Sequence, residues 1–507
     1  MTSTLARPMS APDGAPLRTR AVRAVAWGYG GSLARMATQI GAQAILARLL
    51  GPQEFGVFSA LMLLIGVSVL AADLVSAPVI QMPALDAAAL RFACGLQWLG
   101  SAVVALLSLF SLPLFRAAFP HTAGLGLSLG LVAAGIFVTG WGGVSLSLLR
   151  RNLRYREIQL AQLLGYVVGY GLCAMPLALA GQRSHHVLVL AWLVQSFVTT
   201  GLQYAWARHP IAASLHFDGW RPFLCYGGEV GLGNVANWVS TSVDRLLVAR
   251  QAAPVDIGYY NTMLNLMSTP VSQLSSSLST VAFSVSAQSD DAARRRGTLI
   301  YLHLSTLLFG LLYGVFAAAP ELWVGLIYGP RWLDGAVYLP PFCMAAVSFG
   351  VSSAANAVLT SGGTAGSSAV SQVVTALLLA VLVWALVSSS VLWAAWAVAT
   401  VYLLRALLLA WLSLRRVGER GSTLLPTVVL PLLLALVQVG VSQALTHALA
   451  SLGLGAGSAS LAGLCGGLAA IVLLLVALRR VLLPPASLAW LAEASGKLRR
   501  RLERSSP

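Results

Sequence analysis

Fourteen mostly apolar stretches, each about 20 residues or longer, succeed one another between residues 24 and 481. They are 24–46, 55–79, 91–115, 122–148, 157–180, 187–206, 224–249, 258–285, 298–319, 337–359, 366–387, 391–412, 424–446 and 459–481. A helix needs about 20 such residues to cross the roughly 30 Å hydrocarbon layer of a bilayer. Inside that layer the backbone has no water to bond to, so each stretch must satisfy its own N–H and C=O groups as a helix. Charged residues make up only 9% of the chain and hydrophobic ones 58%, against roughly 25% charged in a soluble protein. The expected fold class is an all-α polytopic membrane protein with about 14 transmembrane helices. The first apolar stretch follows Arg7, Arg18, Arg20 and Arg23; it lacks the short core of a secretory signal and is expected to remain as a helix.

The basic residues orient this bundle. With the N-terminus inside, the even-numbered loops and both tails hold 24 of the 32 Lys and Arg residues. The odd-numbered loops hold five: Arg48, Arg116, Arg183, Arg250 and Arg331. Basic residues concentrate on the cytoplasmic side of membrane proteins, so both termini are expected there. The net charge of +16 therefore belongs to loops and tails facing membrane lipids, and no nucleic-acid partner is expected. The outer loop "PELWVGLIYGPRWLDGA" reads as an interfacial segment anchored by Trp323 and Trp332. The basic tail 483–507 reads either as an amphipathic helix on the inner surface or as a plain solvated tail.

A motif is written twice. "ARLLGPQEFG" and "ARQAAPVDIG" align at an offset of 202 residues, pairing Arg48 with Arg250, Pro52 with Pro254, Glu54 with Asp256 and Gly56 with Gly258. The offset spans six helices, an even number, so both copies insert in the same direction as a parallel repeat. The expected organisation is a basic tail (1–23), an N-lobe of six helices (24–223), a C-lobe of six (224–412), two further helices (413–482) and the basic tail (483–507), with a pseudo-twofold relating the lobes about a central cleft. In each copy Pro suits the first helical turn and the following acid suits the positive end of the helix dipole.

No motif of catalysis is present: the sequence lacks GxxxxGK[ST], HExxH, CxxC and GxSxG. The histidines fall mostly in loops, with His185–His186 expected to be solvated, and the five cysteines read as small apolar packing residues. The protein is not expected to be an enzyme or to hold a metal or cofactor. Polar residues within the spans are more informative, because an ionised side chain at mid-bilayer costs about 2.5–3.5 kcal/mol even on a lenient scale. Arg35, Gln39 and Gln43 recur every four residues on one face of the first span. Adding 202 gives Asn237, Thr241 and Arg245, again polar and equally spaced. Two such stripes would line opposite walls of a cleft and bind substrate; the alternative is that they join helices by hydrogen bonds. Asp244 points to another face and is expected to cap or pair with a neighbouring helix. Asp73, Glu229 and Asp244 are the carboxylates that could couple or gate transport with H+ or Na+.

The stretches "ARLLGPQEFGVFSALMLLIGVSVLAADLVSAPVIQ", "LLRRNLRYREIQLAQLLGYVVG", "VDRLLVARQAAPVDIGYYNTMLN" and "IYGPRWLDGAVYLPPF" resemble the polysaccharide transporters, the Wzx-type lipid-linked oligosaccharide flippases of the multidrug/oligosaccharidyl-lipid/polysaccharide (MOP) exporter superfamily. One departure stands out: the second turn reads Gln-Ala-Ala, where the family more often has a glycine pair. The resemblance implies two six-helix lobes, alternating access, a lipid-linked oligosaccharide as partner, and association with polysaccharide polymerase and chain-length proteins in the bacterial inner membrane. Within the superfamily the alternatives are a peptidoglycan-precursor flippase or a drug exporter. Outside it the alternative is a membrane polysaccharide polymerase or glycosyltransferase, which the short loops disfavour.

Overall fold

A computed structural model describes residues 17–82, 85–120, 122–286, 291–361 and 365–477. The expectations for both basic tails fall largely outside these residues. Helices carry almost all of the described chain, and no strand occurs among the described residues. In chain order they are α1 (Leu17–Leu50), α2 (Pro52–Gln81), α3 (Ala87–Phe110), α4 (Leu112–Ala118), α5 (Leu125–Arg151), α6 (Tyr155–Tyr166), α7 (Met175–Leu179), α8 (His185–Ala207), α9 (Trp220–Gln251) and α10 (Pro254–Ser286). There follow α11 (Asp291–Ala318), α12 (Pro320–Ile327), α13 (Leu339–Ser361), α14 (Ala365–Val387), α15 (Val391–Arg416), α16 (Leu430–Ser451) and α17 (Ala456–Ala477).

Each of the fourteen apolar stretches coincides with one helical run, α6 and α7 counting as one because a π-helical segment, Val167–Ala174, joins them. Among the described residues, ten helices are long and apolar enough to cross a membrane. The other four runs are α1, α2, α9 and α10, of 34, 30, 32 and 33 residues. At 1.5 Å per residue these extend about 45–51 Å, beyond the hydrocarbon thickness.

The element order also repeats. A long pair opens each copy (α1–α2, α9–α10), then comes one span (α3, α11). A short helix with proline in its first turn follows (α4, α12). Three further spans complete each copy, ending on α8 and α15. Serine caps both last helices: Ser184 accepts from the His186 amide and Ser390 from that of Leu392, satisfying an amide that a helix start leaves unpaired. α16 and α17 have no counterpart.

The chain divides into two compact units, Met1–Asn261 and Thr262–Pro507, the boundary falling inside α10. In the first unit α5 packs against α2, α3 and α8, α6 against α1, and α9 against α2. Its core holds Val75, Val79, Phe92, Cys94, Val144 and Phe223, with Phe92 and Phe223 edge to face at 5.4 Å. Small residues let the backbones approach, as expected where lipid supplies no hydrophobic drive for helix association. A Cβ on Gly227 would lie 2.0 Å from the Leu74 carbonyl oxygen, which is why α9 can lie along α2.

In the second unit α11 packs against α13 and α16, α15 against α13 and α14, and α16 against α17. The loop read as an interfacial segment is ordered as α12 followed by a 3₁₀ turn, Pro330–Tyr338. Here the structure corrects the sequence reading. Trp332 is fully buried and tilts against Tyr328 at 5.4 Å, and the Trp323 indole donates to the Val315 carbonyl. The 3₁₀ turn carries Trp332 inward, whereas Trp323 sits half-buried on α12.

Candidate substrate-binding site

The stripe on α1 meets a polar row on α6. Arg35 Nη1 donates to Gln162 Oε1 at 2.5 Å, Gln159 Nε2 donates to Ser32 Oγ at 3.3 Å, and the Tyr166 hydroxyl donates to the Gln39 carbonyl at 3.5 Å. All three pairs are separated by 127 residues. A constant difference means that the two helices run in the same direction, as first and fifth spans must. Gly31 makes the approach possible, since a Cβ there would stand 2.5 Å from Gln159 Cβ. Arg35, Gln39 and Gln43 are all half-buried.

Arg35 is not satisfied by this seam. Its Nε is buried without a hydrogen-bond partner, and the same holds for Nε of Arg245 on α9. A buried donor left unmade costs about 1–3 kcal/mol, and in a native fold such a group calls for an explanation. Asn237 and Thr241 lie exposed on α9, two turns and one turn respectively before the half-buried Arg245; the Thr241 hydroxyl donates back to the Asn237 carbonyl at 3.0 Å. Asp244 is buried and accepts from the Tyr260 hydroxyl of α10 at 2.8 Å. Glu229 is exposed near the start of α9. Asp73 lies in α2, in a stretch whose side chains are outside the described residues.

Sequence reasoning missed one group outright and read two others incompletely. Gln159, Gln162 and Tyr166 share one face of α6 at spacings of three and four, the periodicity that exposed the α1 stripe. The second is Glu54. Its Oε2 accepts from the backbone amide of His185 at 2.6 Å and pairs with the ring Nδ1 at 2.9 Å, so the acid expected to suit its own helix start also serves that of α8. The third corrects the reading of solvated loop histidines: His185 is 3% exposed, and His186 Nδ1 lies 2.7 Å from Ser128 Oγ. Burial follows because Ser184 caps α8 immediately before them.

The long apolar helices define a multi-pass membrane protein. The profile of the family described as "Polysaccharide biosynthesis protein" matches residues 45–337, more than half of the chain, and the chain belongs to that family. The teichuronic acid biosynthesis protein TuaB of Bacillus subtilis (strain 168) is 21% identical over 312 residues, covering 59% of this chain and 64% of TuaB. The match thus spans less than two thirds of that relative. Among solved structures, the lipid II flippase MurJ in an inward closed conformation superposes with a TM-score of 0.69 at 14% identity, over 91% of this chain and 99% of MurJ. An inward-facing multidrug resistance MATE family transporter of the MOP superfamily superposes with a TM-score of 0.55 at 14% identity, over 76% and 98%. At these identities the structural likeness carries the fold.

Proposed function

We propose that this protein is a flippase that moves a lipid-linked oligosaccharide, a sugar chain on polyprenyl pyrophosphate, across the bacterial cytoplasmic membrane by alternating access for surface polysaccharide synthesis. The observation that carries the reading is Arg35: a guanidinium held by Gln162 at 2.5 Å, with Nε buried and unpartnered, inside a long helix of a membrane protein of the polysaccharide biosynthesis family. Arginine suits phosphate because its planar fork donates two parallel hydrogen bonds. Arg245 would contribute a second cation. Gln39, Gln43, Asn237 and Thr241 would bond sugar hydroxyls in place of water. Asp73, Glu229 and Asp244 are the groups through which a proton or Na+ gradient would couple.

Arg35→Ala tests the reading. Membrane insertion and expression should match wild type, surface polymer should fall at least tenfold, and lipid-linked intermediates should accumulate on the inner leaflet. Arg35→Lys, which keeps the charge and loses the fork, should restore export only in part. Full export by Arg35→Ala cells would sink the assignment.

A further inference from the structure

Beside the polar seam, α1 and α6 enclose a groove of ≈ 280 Å³ lined by Trp27, Gly30, Gly31, Ala34, Gln159, Leu160 and Leu163. Its walls are apolar except for Gln159, which also belongs to the seam. We propose that this groove holds the first isoprene units of a polyprenyl diphosphate in a loading position that precedes translocation, with Arg156 at its mouth binding the diphosphate before it passes to Arg35. The inference rests on the transport reading and deepens it by giving the lipid portion of the substrate a site of its own.

Any apolar groove in a membrane meets lipid, and three features select a single phosphorylated chain. The trough is small and glycine-floored: its volume is ≈ 280 Å³, Gly31 is tight against Gln159, and nothing lies within 4 Å of a Cβ built on Gly30. One chain fits such a space, and a two-tailed glycerophospholipid would leave its second tail outside. A cation stands at one end, with the Arg156 guanidinium 5.4 Å from the centroid of the Trp27 ring. Stacking occupies the face of a guanidinium and leaves its in-plane N–H edges for an anion. Its neighbours are committed elsewhere: Arg154 pairs with Glu157 at 3.0 Å and bonds the Trp206 carbonyl, and Arg151 caps α2 through the carbonyls of Val79, Ile80 and Met82. Lastly, the groove adjoins Ser32, Gln159, Arg35 and Gln162, so an amphipathic ligand finds apolar and polar walls side by side.

The test is saturation binding of radiolabelled geranylgeranyl diphosphate to the full chain in phosphatidylcholine nanodiscs. Wild type should bind saturably, with inorganic pyrophosphate and phosphatidylglycerol each competing at least tenfold less well than unlabelled geranylgeranyl diphosphate. Gly30→Phe fills the trough from α1 and Leu160→Trp from α6; each should weaken binding at least tenfold at an unchanged melting temperature. Arg156→Gln should reduce the preference for the diphosphate over geranylgeraniol. In an independent measurement, Trp27→p-benzoylphenylalanine should crosslink to the probe on illumination, and excess unlabelled probe should block the crosslink. Absence of saturable binding, equal displacement by phosphatidylglycerol, or wild-type affinity in both filling variants would overturn the assignment. The two readings fail separately: if Arg35→Ala abolishes export while both filling variants bind normally, the groove assignment falls and the transport reading stands.

Discussion

At the scale of single residues, the repeated turn shows how one motif is built in two ways. Gly51 takes φ +88° just before Pro52, a left-handed conformation that a side chain strains. At the matching turn Ala252 is extended, with φ −97° and ψ 159°. α9 ends one position earlier in register than α1, so the reversal spreads over Ala252 and Ala253 and needs no glycine. The departure from the family's glycine pair is thereby accommodated in the backbone. Histidine 209, just beyond α8, provides a prediction of another kind. Its Nε2 lies 2.9 Å from Ser145 Oγ and its Nδ1 3.0 Å from the Pro210 carbonyl. Burial pushes its pKa below the ordinary 6.5, with the Pro210 carbonyl opposing in part. The unfolded chain therefore takes up a proton at higher pH than the folded one, so this contribution to stability is full above about pH 6.5 and declines as pH falls below it. Thermal melts of wild type between pH 8 and 5 should decline more steeply than those of His209→Gln. Parallel curves would contradict the burial argument.

Among helices, the doubled glycine has a reciprocal use. A Cβ on Gly56 would fall 1.7 Å from the Pro254 carbonyl oxygen, and one on Gly258 2.0 Å from that of Pro52. Each copy's glycine thus makes room for the other copy's proline, and the starts of α2 and α10 touch backbone to backbone. That is why the chain repeats Pro-x-acid-x-Gly and keeps both glycines. Gly56→Ala or Gly258→Ala should destabilise by about 1–3 kcal/mol through overpacking, read as a lower melting temperature. The double variant should cost less than the sum of the two, because either methyl alone already forces the helices apart; full additivity would refute a shared contact. Prolines explain another local feature. The π segment Val167–Ala174 ends two residues before Pro176, and a second, Leu425–Val429, contains Pro426 and ends two residues before Pro431. A proline ring removes one helical hydrogen bond and crowds the carbonyl four residues before it; widening the helix relieves both effects. The apolar stretches 157–180 and 424–446 were legible as spans, but their irregular turns were not, since hydropathy averages over the very residues that set backbone geometry.

For the whole molecule, the charge asymmetry makes a definite statement about topology. An alkaline phosphatase domain inserted into the full chain after Arg183 should be active on the outer side, and one inserted after Arg154 should be inactive; the reverse pattern, or activity at both sites, would refute the orientation. The sequence by itself determined the helical class and the positions of the long helices among the described residues. Those follow from the free energy of placing apolar side chains and closed backbone hydrogen bonds in hydrocarbon, and that energy is local and additive along the chain. Which polar face meets which was decided only in three dimensions. Arg35 was visible as a buried charge, but its partner Gln162 lies 127 residues away. Trp332 and His185 read as surface residues until the 3₁₀ turn and the cap at Ser184 placed them inside. Glu54 could be assigned to its own helix start, whereas its bond to α8 needed the packing of α2 and α8. Pair contacts of this kind depend on close approach at glycines and on side-chain geometry, and neither leaves a periodic trace in a single sequence.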